Sequence, residues 1–225
     1  MTYEVTAIVP IKEHSERLPG KNFMDFNGRP LYHWILETLE SVEEIDHIVV
    51  NTDAEEVITD APTRFDVEIS ERPARLRNDE VTTNIIQYEL ERLDSDVYLH
   101  TYCTCPLLTA ETIADAIQKF ISHDQHDSLL PVTRHQKRFY DEEMNPINHD
   151  PHDLSPSQDL PPVYEDNSVL FVYTPETFER TGHRIGERPL PFEIDDREAI
   201  EIDYMSDFRL AESLHNQRSF VDQKQ

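Results

Sequence analysis

Lysine, cysteine and glycine are all scarce in this 225-residue chain. Five lysines and fifteen arginines face 46 aspartates and glutamates, for a formal net charge of −26. So strong an acidic excess argues against non-specific binding to nucleic acid or anionic membrane. The two cysteines, Cys103 and Cys105, are one residue apart on a strand-to-loop stretch. Such neighbours bridge only with strain, so they read as free thiols of a reducing compartment. A C-x-C pair alone is too little for zinc, although His100 beside Cys103 leaves that alternative open. No signal peptide opens the sequence and no run of about 18 apolar residues occurs, so a soluble, cytoplasmic protein is expected. The acidic residues are spread along the chain and hydrophobic residues reach 37%, which argues against disorder. A folded protein whose surface stays hydrated in high salt (a halophilic protein) is the expectation, with an ordinary acidic enzyme the alternative. Refolding at low salt is expected to fail in the first case, because unscreened repulsion opposes the compact state.

What is present is organised around the first strand and the loop after it. Residues 5–11 form an apolar run that reads as a buried strand. A polar loop follows with Lys12, Arg17, Gly20, Lys21 and Asn22. A chain with four glycines places one where the backbone needs positive φ or close approach. A strand, a basic loop and a helix start together suit phosphate, because backbone N–H groups and cations point into one space.

The remaining pattern alternates strands and helices. A helix is expected from Pro30, with Leu31, Trp34, Ile35 and Leu39 on its apolar face; strands are expected at 46–53, 67–69, 97–101, 129–133 and 163–173. Helices are expected at 110–121, about 175–180 and 206–216, and another, capped by Thr82 or Thr83, should run to about Leu93. This predicts an α/β fold, a Rossmann-like and mostly parallel sheet with helices on both faces, over a single domain spanning 1–225. Ligands of such sheets sit beyond the carboxyl ends of the strands, where Lys12 and Asp53 fall. Arg72, Arg75 and Arg77 cluster in one loop, readable equally as an anion site or a self-solvated loop. The polar, proline-rich segment 135–162 reads as an excursion, a flap or a dimerisation insertion. Alternation at 200–203 puts Glu201 and Asp203 on one face. Two hard oxygen ligands side by side suit Mg²⁺, the alternative being an amphipathic edge strand with a wet face.

Several of these segments, in this order, resemble the acylneuraminate cytidylyltransferases (CMP-N-acylneuraminate synthetases). They are V-P-I-K-E-H-S-E-R-L-P-G-K-N at 9–22, V-V-N-T-D at 49–53, E-R-P at 71–73, C-P-L at 105–107, Q-D-L-P at 158–161 and I-E-I-D-Y at 200–204. The resemblance implies a nucleotidyltransferase fold and the reaction of CTP with a sialic-acid-like (nonulosonic) sugar acid, giving a CMP-sugar and pyrophosphate with Mg²⁺ as cofactor. It implies catalytic roles for Lys12, Lys21 and Asp203, and nucleotide contacts from Ile11, Lys12, Lys21, Asn22, Arg72, Thr82, Thr83 and Tyr102. Glu201 and Asp203 would hold the metal. The sugar would be met by Gln158, Glu165 and Asn167, with Lys137 or Arg138 supplying the cation. A homodimer is the family's habit. Three features depart from the family. Glu201 stands where Asp is usual, Tyr102 stands where a Gln reads the base in many members, and two arginines are missing around 156–165. Another sugar acid such as 3-deoxy-manno-octulosonate, another nucleotide, and a catalytically silent relative therefore stand as alternatives.

Overall fold

The computed structural model describes residues 3–77 and 82–222. Ten strands and six α-helices are described: β1 (Val5–Ile11), β2 (Asp25–Phe26), β3 (Arg29–Pro30), α1 (Leu31–Glu40), β4 (His47–Thr52), α2 (Glu55–Arg64), β5 (Glu68–Glu71), α3 (Thr82–Leu90), β6 (Val97–Thr101), α4 (Ala110–Ile121), β7 (Ser128–His135), β8 (Val163–Asp166), β9 (Leu170–Tyr173), α5 (Pro175–Thr181), β10 (Pro189–Glu193) and α6 (Met205–Asp222). The main sheet runs β10-β7-β9-β6-β1-β4-β5, with β8 paired to β7. β6, β1, β4 and β5 are parallel; β9 runs against both β6 and β7.

Alternation along β1 assigns its side chains to two layers. Val5, Ala7, Val9 and Ile11 join the large core under α1, α2 and α4, with Ile35, Leu36, Val57, Ile113 and Ile117. Ile8 faces the other way, onto Ile86 of α3 and Phe178 of α5. A third cluster packs α6 through Phe208 and Ala211 onto the β2–β3 hairpin, with Phe26, Leu31 and Ile202. Helices thus cover both faces, as expected. Among the described residues no helix is long and apolar enough to cross a membrane.

Three expectations are corrected. Pro30 does not begin a helix; it ends β3 with ψ 142 and α1 starts at Leu31. The strand expected at 163–173 is two strands. Ser168 takes φ 58, and the Asp166 carboxylate accepts from its backbone N–H (2.9 Å) and its hydroxyl (3.0 Å), a side-chain turn that breaks the ladder. Residues 200–203 are not a strand, yet the alternation holds. Ile202 is fully buried, its N–H donates to the Thr104 carbonyl (2.8 Å), and Glu201 and Asp203 stay half-buried.

Candidate functional site

β1 ends at Ile11, and the chain leaves the sheet through the loop 12–20, at the carboxyl edge of the parallel strands. Gly20, at φ 72, turns it into a single 3₁₀ turn, Lys21–Phe23. The left-handed conformation explains a glycine at that point. The turn buries Lys21, whose Nζ donates to the Ile202 carbonyl (2.5 Å) and to Asp203 Oδ1 (3.2 Å). Arg17 pairs with the other Asp203 oxygen. Asn22 Nδ2 donates to the Lys12 carbonyl (2.9 Å), while its buried Oδ1 has no partner among the described residues. Asp53, at the end of β4, accepts from the Glu13 N–H (3.0 Å) and ties the loop to the neighbouring strand.

The facing wall is the segment before α6. Asp207 Oδ2 accepts from the N–H groups of Asp203 (3.1 Å) and Tyr204 (2.7 Å), fixing both at the helix start. Among the described residues Glu201 accepts one long hydrogen bond, from the Thr104 hydroxyl (3.3 Å). Burial first, and then the neighbouring Asp203 charge, push its carboxyl above the usual range, against the pull of Lys21. Between the walls lies a cavity of about 490 Å³. Lys12, Arg17 and Lys21 bring cations to it, Glu16 and Glu201 carboxylates, and Pro10, Ile85 and Tyr102 apolar surface. A second cavity, about 450 Å³, shares Glu201 and is lined by Glu165, Asp166, Asp196, His135 and Asn167 among others. Its charge is the opposite of the first.

The expected residues divide accordingly. Lys12, Lys21, Asn22, Thr82, Tyr102 and Glu201 line the first cavity, and Asp203 is bound to two of its cations. The side chain of Ile11 lies in the main core and Thr83 is not in the wall. Arg72 is also outside it. That residue is fully buried, with Nε on Asn51 Oδ1 (2.7 Å) and Nη2 on the Asn51 carbonyl (3.1 Å). Asn51 in turn donates to Glu89 Oε1 (2.5 Å), itself fully buried, so the arginine belongs to an internal polar network joining β4, β5 and α3. Arg75 lies over the Tyr88 ring and Arg77 pairs with Glu71, so these arginines are engaged within the protein. Part of the loop they open lies outside the described residues.

Glu165 and Asn167 line the second cavity, where Glu165 pairs with His135 (2.6 Å) and Asn167 Nδ2 donates to Thr133 (3.1 Å). Lys137, Arg138 and Gln158 are not in its wall. They hold the excursion together instead: the Lys137 carbonyl accepts from Asn148 (2.7 Å), Arg138 donates to the Ser155 carbonyl (2.6 Å), and the Gln158 carbonyl accepts from Gln136 (3.4 Å). Cys103 and Cys105 are buried free thiols; burial pushes Cys103 up to about 12 and Cys105 well above its ordinary value. Sequence reasoning placed Arg17 in the basic loop without its partner Asp203, and passed over Thr104, which the backbone bond to Ile202 brings into place. Arg184 gave no signal, since its partner Tyr102 is far away in sequence.

Comparisons with known proteins fit this geometry. A family described as cytidylyltransferase matches residues 6–225. The pseudaminic acid cytidylyltransferase of Campylobacter jejuni serotype O:2 is 28% identical over 92% of this chain and 94% of its own length. The N-acylneuraminate cytidylyltransferase of Escherichia coli O18:K1:H7 is 22% identical over 97% of this chain, which spans 54% of that relative. The solved structure of CMP:2-keto-3-deoxy-manno-octonic acid synthetase complexed with CTP superposes with a TM-score of 0.70 at 12% identity, covering 96% of this chain and 99% of that one.

Proposed function

Because the chain belongs to the cytidylyltransferase family, we propose that it transfers a cytidylyl group from CTP to a nonulosonic sugar acid, releasing pyrophosphate. The observation that carries this reading is the convergence of Lys12, Arg17 and Lys21 on one cavity that also holds Glu201, in a chain of net charge −26. Three cations in so acidic a protein suit a triphosphate. The partnerless Oδ1 of Asn22 offers an acceptor to an amino or hydroxyl group of the nucleotide. Glu201 lines both cavities, so the reacting centre falls beside it. The sugar's anomeric oxygen bonds to the α-phosphorus as the bond to pyrophosphate breaks. Negative charge then grows on the leaving group, where Lys12, Arg17 and Lys21 stabilise it.

Glu201 and Asp203 fit Mg²⁺ as donors, Asp203 once Arg17 and Lys21, which hold its two oxygens here, turn to the phosphates. These carboxylates are hard oxygens, only two in number, and the phosphates supply the rest. Glu201 in particular has a single long hydrogen bond and a carboxyl pushed up by burial and by Asp203, the condition that a bound cation relieves. When bound, the metal supplies charge neutralisation at the phosphates and a more acidic sugar hydroxyl.

The test is pyrophosphate release in high salt with CTP, Mg²⁺ and a panel of pseudaminate, N-acetylneuraminate, legionaminate and 3-deoxy-manno-octulosonate. Release with CTP and one of the first three is expected. Release with the last alone would replace the sugar class, and absence of CTP binding would remove the reading altogether.

The chain is proposed to pair with a second copy through its excursion, where Tyr140, Met144, Ile147 and Leu154 are exposed. Light scattering in high salt should give twice the chain mass; a monomer mass would discard this.

A further inference from the structure

Tyr102 follows β6 and lines the cation-bearing cavity together with Pro10 and Ile85, the surfaces suited to a flat base. Its hydroxyl accepts a hydrogen bond from Arg184 Nη1. The same guanidinium lies 3.6 Å from the centre of the Phe171 ring. Arg184 belongs to the loop between α5 and β10, and that loop is pinned. Asp127 accepts from the N–H groups of Glu187 (3.0 Å) and Arg188 (2.9 Å) and from Arg180 (2.6 Å). Ser128 accepts from the Gly186 N–H (2.8 Å), and a Cβ on Gly186 would meet Asp127 Oδ1 at 2.2 Å. The arginine is therefore held in place before any ligand arrives.

An arginine donates only and stays charged. The Thr82 hydroxyl also hydrogen-bonds the Tyr102 oxygen and, like Arg184, pulls the phenol down, as a donor to that oxygen does. With Arg184 and Thr82 on its lone pairs, the phenolic hydrogen is turned away from both. Burial holds the Tyr102 phenol up, more than Arg184 and Thr82 pull it down, so the proton stays on the oxygen. Behind the ring stands His100, fully buried, 5.0 Å away between ring centres, with neither nitrogen partnered. Burial and the Arg184 charge keep it neutral. The wall thus presents one fixed O–H, polarised by a cation.

We infer that Arg184 is a positioning residue that acts through Tyr102, and that the Tyr102 hydroxyl reads the base, favouring cytosine over uracil. N3 of cytosine is a bare acceptor, whereas N3 of uracil carries a hydrogen, so a fixed donor meets an acceptor in one and a second donor in the other. This rests on the cytidylyltransferase reading and adds the means of base selection.

The experiment is calorimetric binding of CTP, UTP and inorganic triphosphate, with Mg²⁺ and high salt, to the wild-type chain, Tyr102→Phe, Arg184→Met and Arg184→Lys. The wild type is expected to prefer CTP. Tyr102→Phe and Arg184→Met should each weaken CTP about tenfold, the size of one lost hydrogen bond, and bring CTP and UTP close to parity. Triphosphate affinity should not move, because Lys12, Arg17 and Lys21 are untouched, and Arg184→Lys should recover part of the preference. A purely structural role would weaken all three ligands together and would overturn the inference. A wild-type preference for CTP that survives in Tyr102→Phe, which removes a single oxygen, overturns it without touching the parent reading. A wild type that binds triphosphate but neither nucleotide overturns both.

Discussion

Two carboxylates in this protein sit in opposite circumstances. Asp60 of α2 accepts from the Tyr32 hydroxyl (2.7 Å), from His33 Nε2 (2.8 Å) and from Arg64 Nε (2.7 Å). Burial alone would raise its carboxyl, but those three donors outweigh burial and hold it at about 2. Glu201 has one long hydrogen bond, and burial and Asp203 push it up. The first arrangement clamps α1 to α2 and is complete within the chain. The second is incomplete, and the cations nearest to it are committed to Asp203. A carboxylate whose lone pairs are satisfied by the fold does structural work; one left short at a cavity wall, shared by a basic and an acidic cavity, is held for a ligand.

The largest effect that sharpens this contrast is at Glu201. Glu201→Gln keeps the shape and removes the charge. Turnover should fall by about 10²-fold or more, as for the loss of a group that stabilises transition-state charge. Thermal stability should not fall with it. The raised pKa means that the folded state resists ionising Glu201; its stabilising share is present below the pKa of an unfolded glutamate and lost as pH rises through the folded one. In metal-free protein at neutral pH the glutamine variant should therefore melt at the same temperature as the wild type, or roughly 1–3 °C higher for a chain of this length. Full turnover in the variant, or a clear loss of stability, would place Glu201 with Asp60 as a structural group.

The Glu201 side of this contrast was legible before the fold. The strand at Val5–Ile11, the basic loop after it and the Glu201–Asp203 alternation are local signals, set by periodicity and by a glycine at positive φ. What stayed hidden depends on partners far away in sequence. Arg72 looks like part of an anion-binding cluster until Asn51 and Glu89 are seen to enclose it. Glu89 reads as an ordinary helix-face residue, yet it is fully buried and also accepts from Ser70 (2.7 Å). Arg138 stands near the expected sugar site in sequence, but its guanidinium bonds the Ser155 carbonyl of the excursion, and the neighbouring Lys137 carbonyl accepts from the Asn148 side chain. Residues 200–203 kept their two faces without a strand because Ile202 fills the third core and bonds Thr104, an anchor that no alternation pattern contains.

The smaller effect is at Asp60, and it should have the reverse signature. Asp60→Asn leaves Arg64 without its carboxylate and weakens the bonds from Tyr32 and His33. Because the folded pKa lies below the ordinary 3.8, the stabilising share of Asp60 is present above that value and is lost as pH falls through about 2. The side chain is 26% exposed, so solvent screening reduces the share to about 1 kcal/mol. Denaturant unfolding at pH 7 should show the variant less stable by that amount, and the difference from the wild type should shrink as the pH is lowered from 4 towards 2. Pyrophosphate release should be unchanged, since Asp60, on α2, is absent from the walls of both cavities. Loss of turnover without loss of stability would break the division drawn between the two carboxylates. A stability difference that persists undiminished at the lowest pH would show instead that the clamp works through shape and neutral hydrogen bonds, with charge adding nothing.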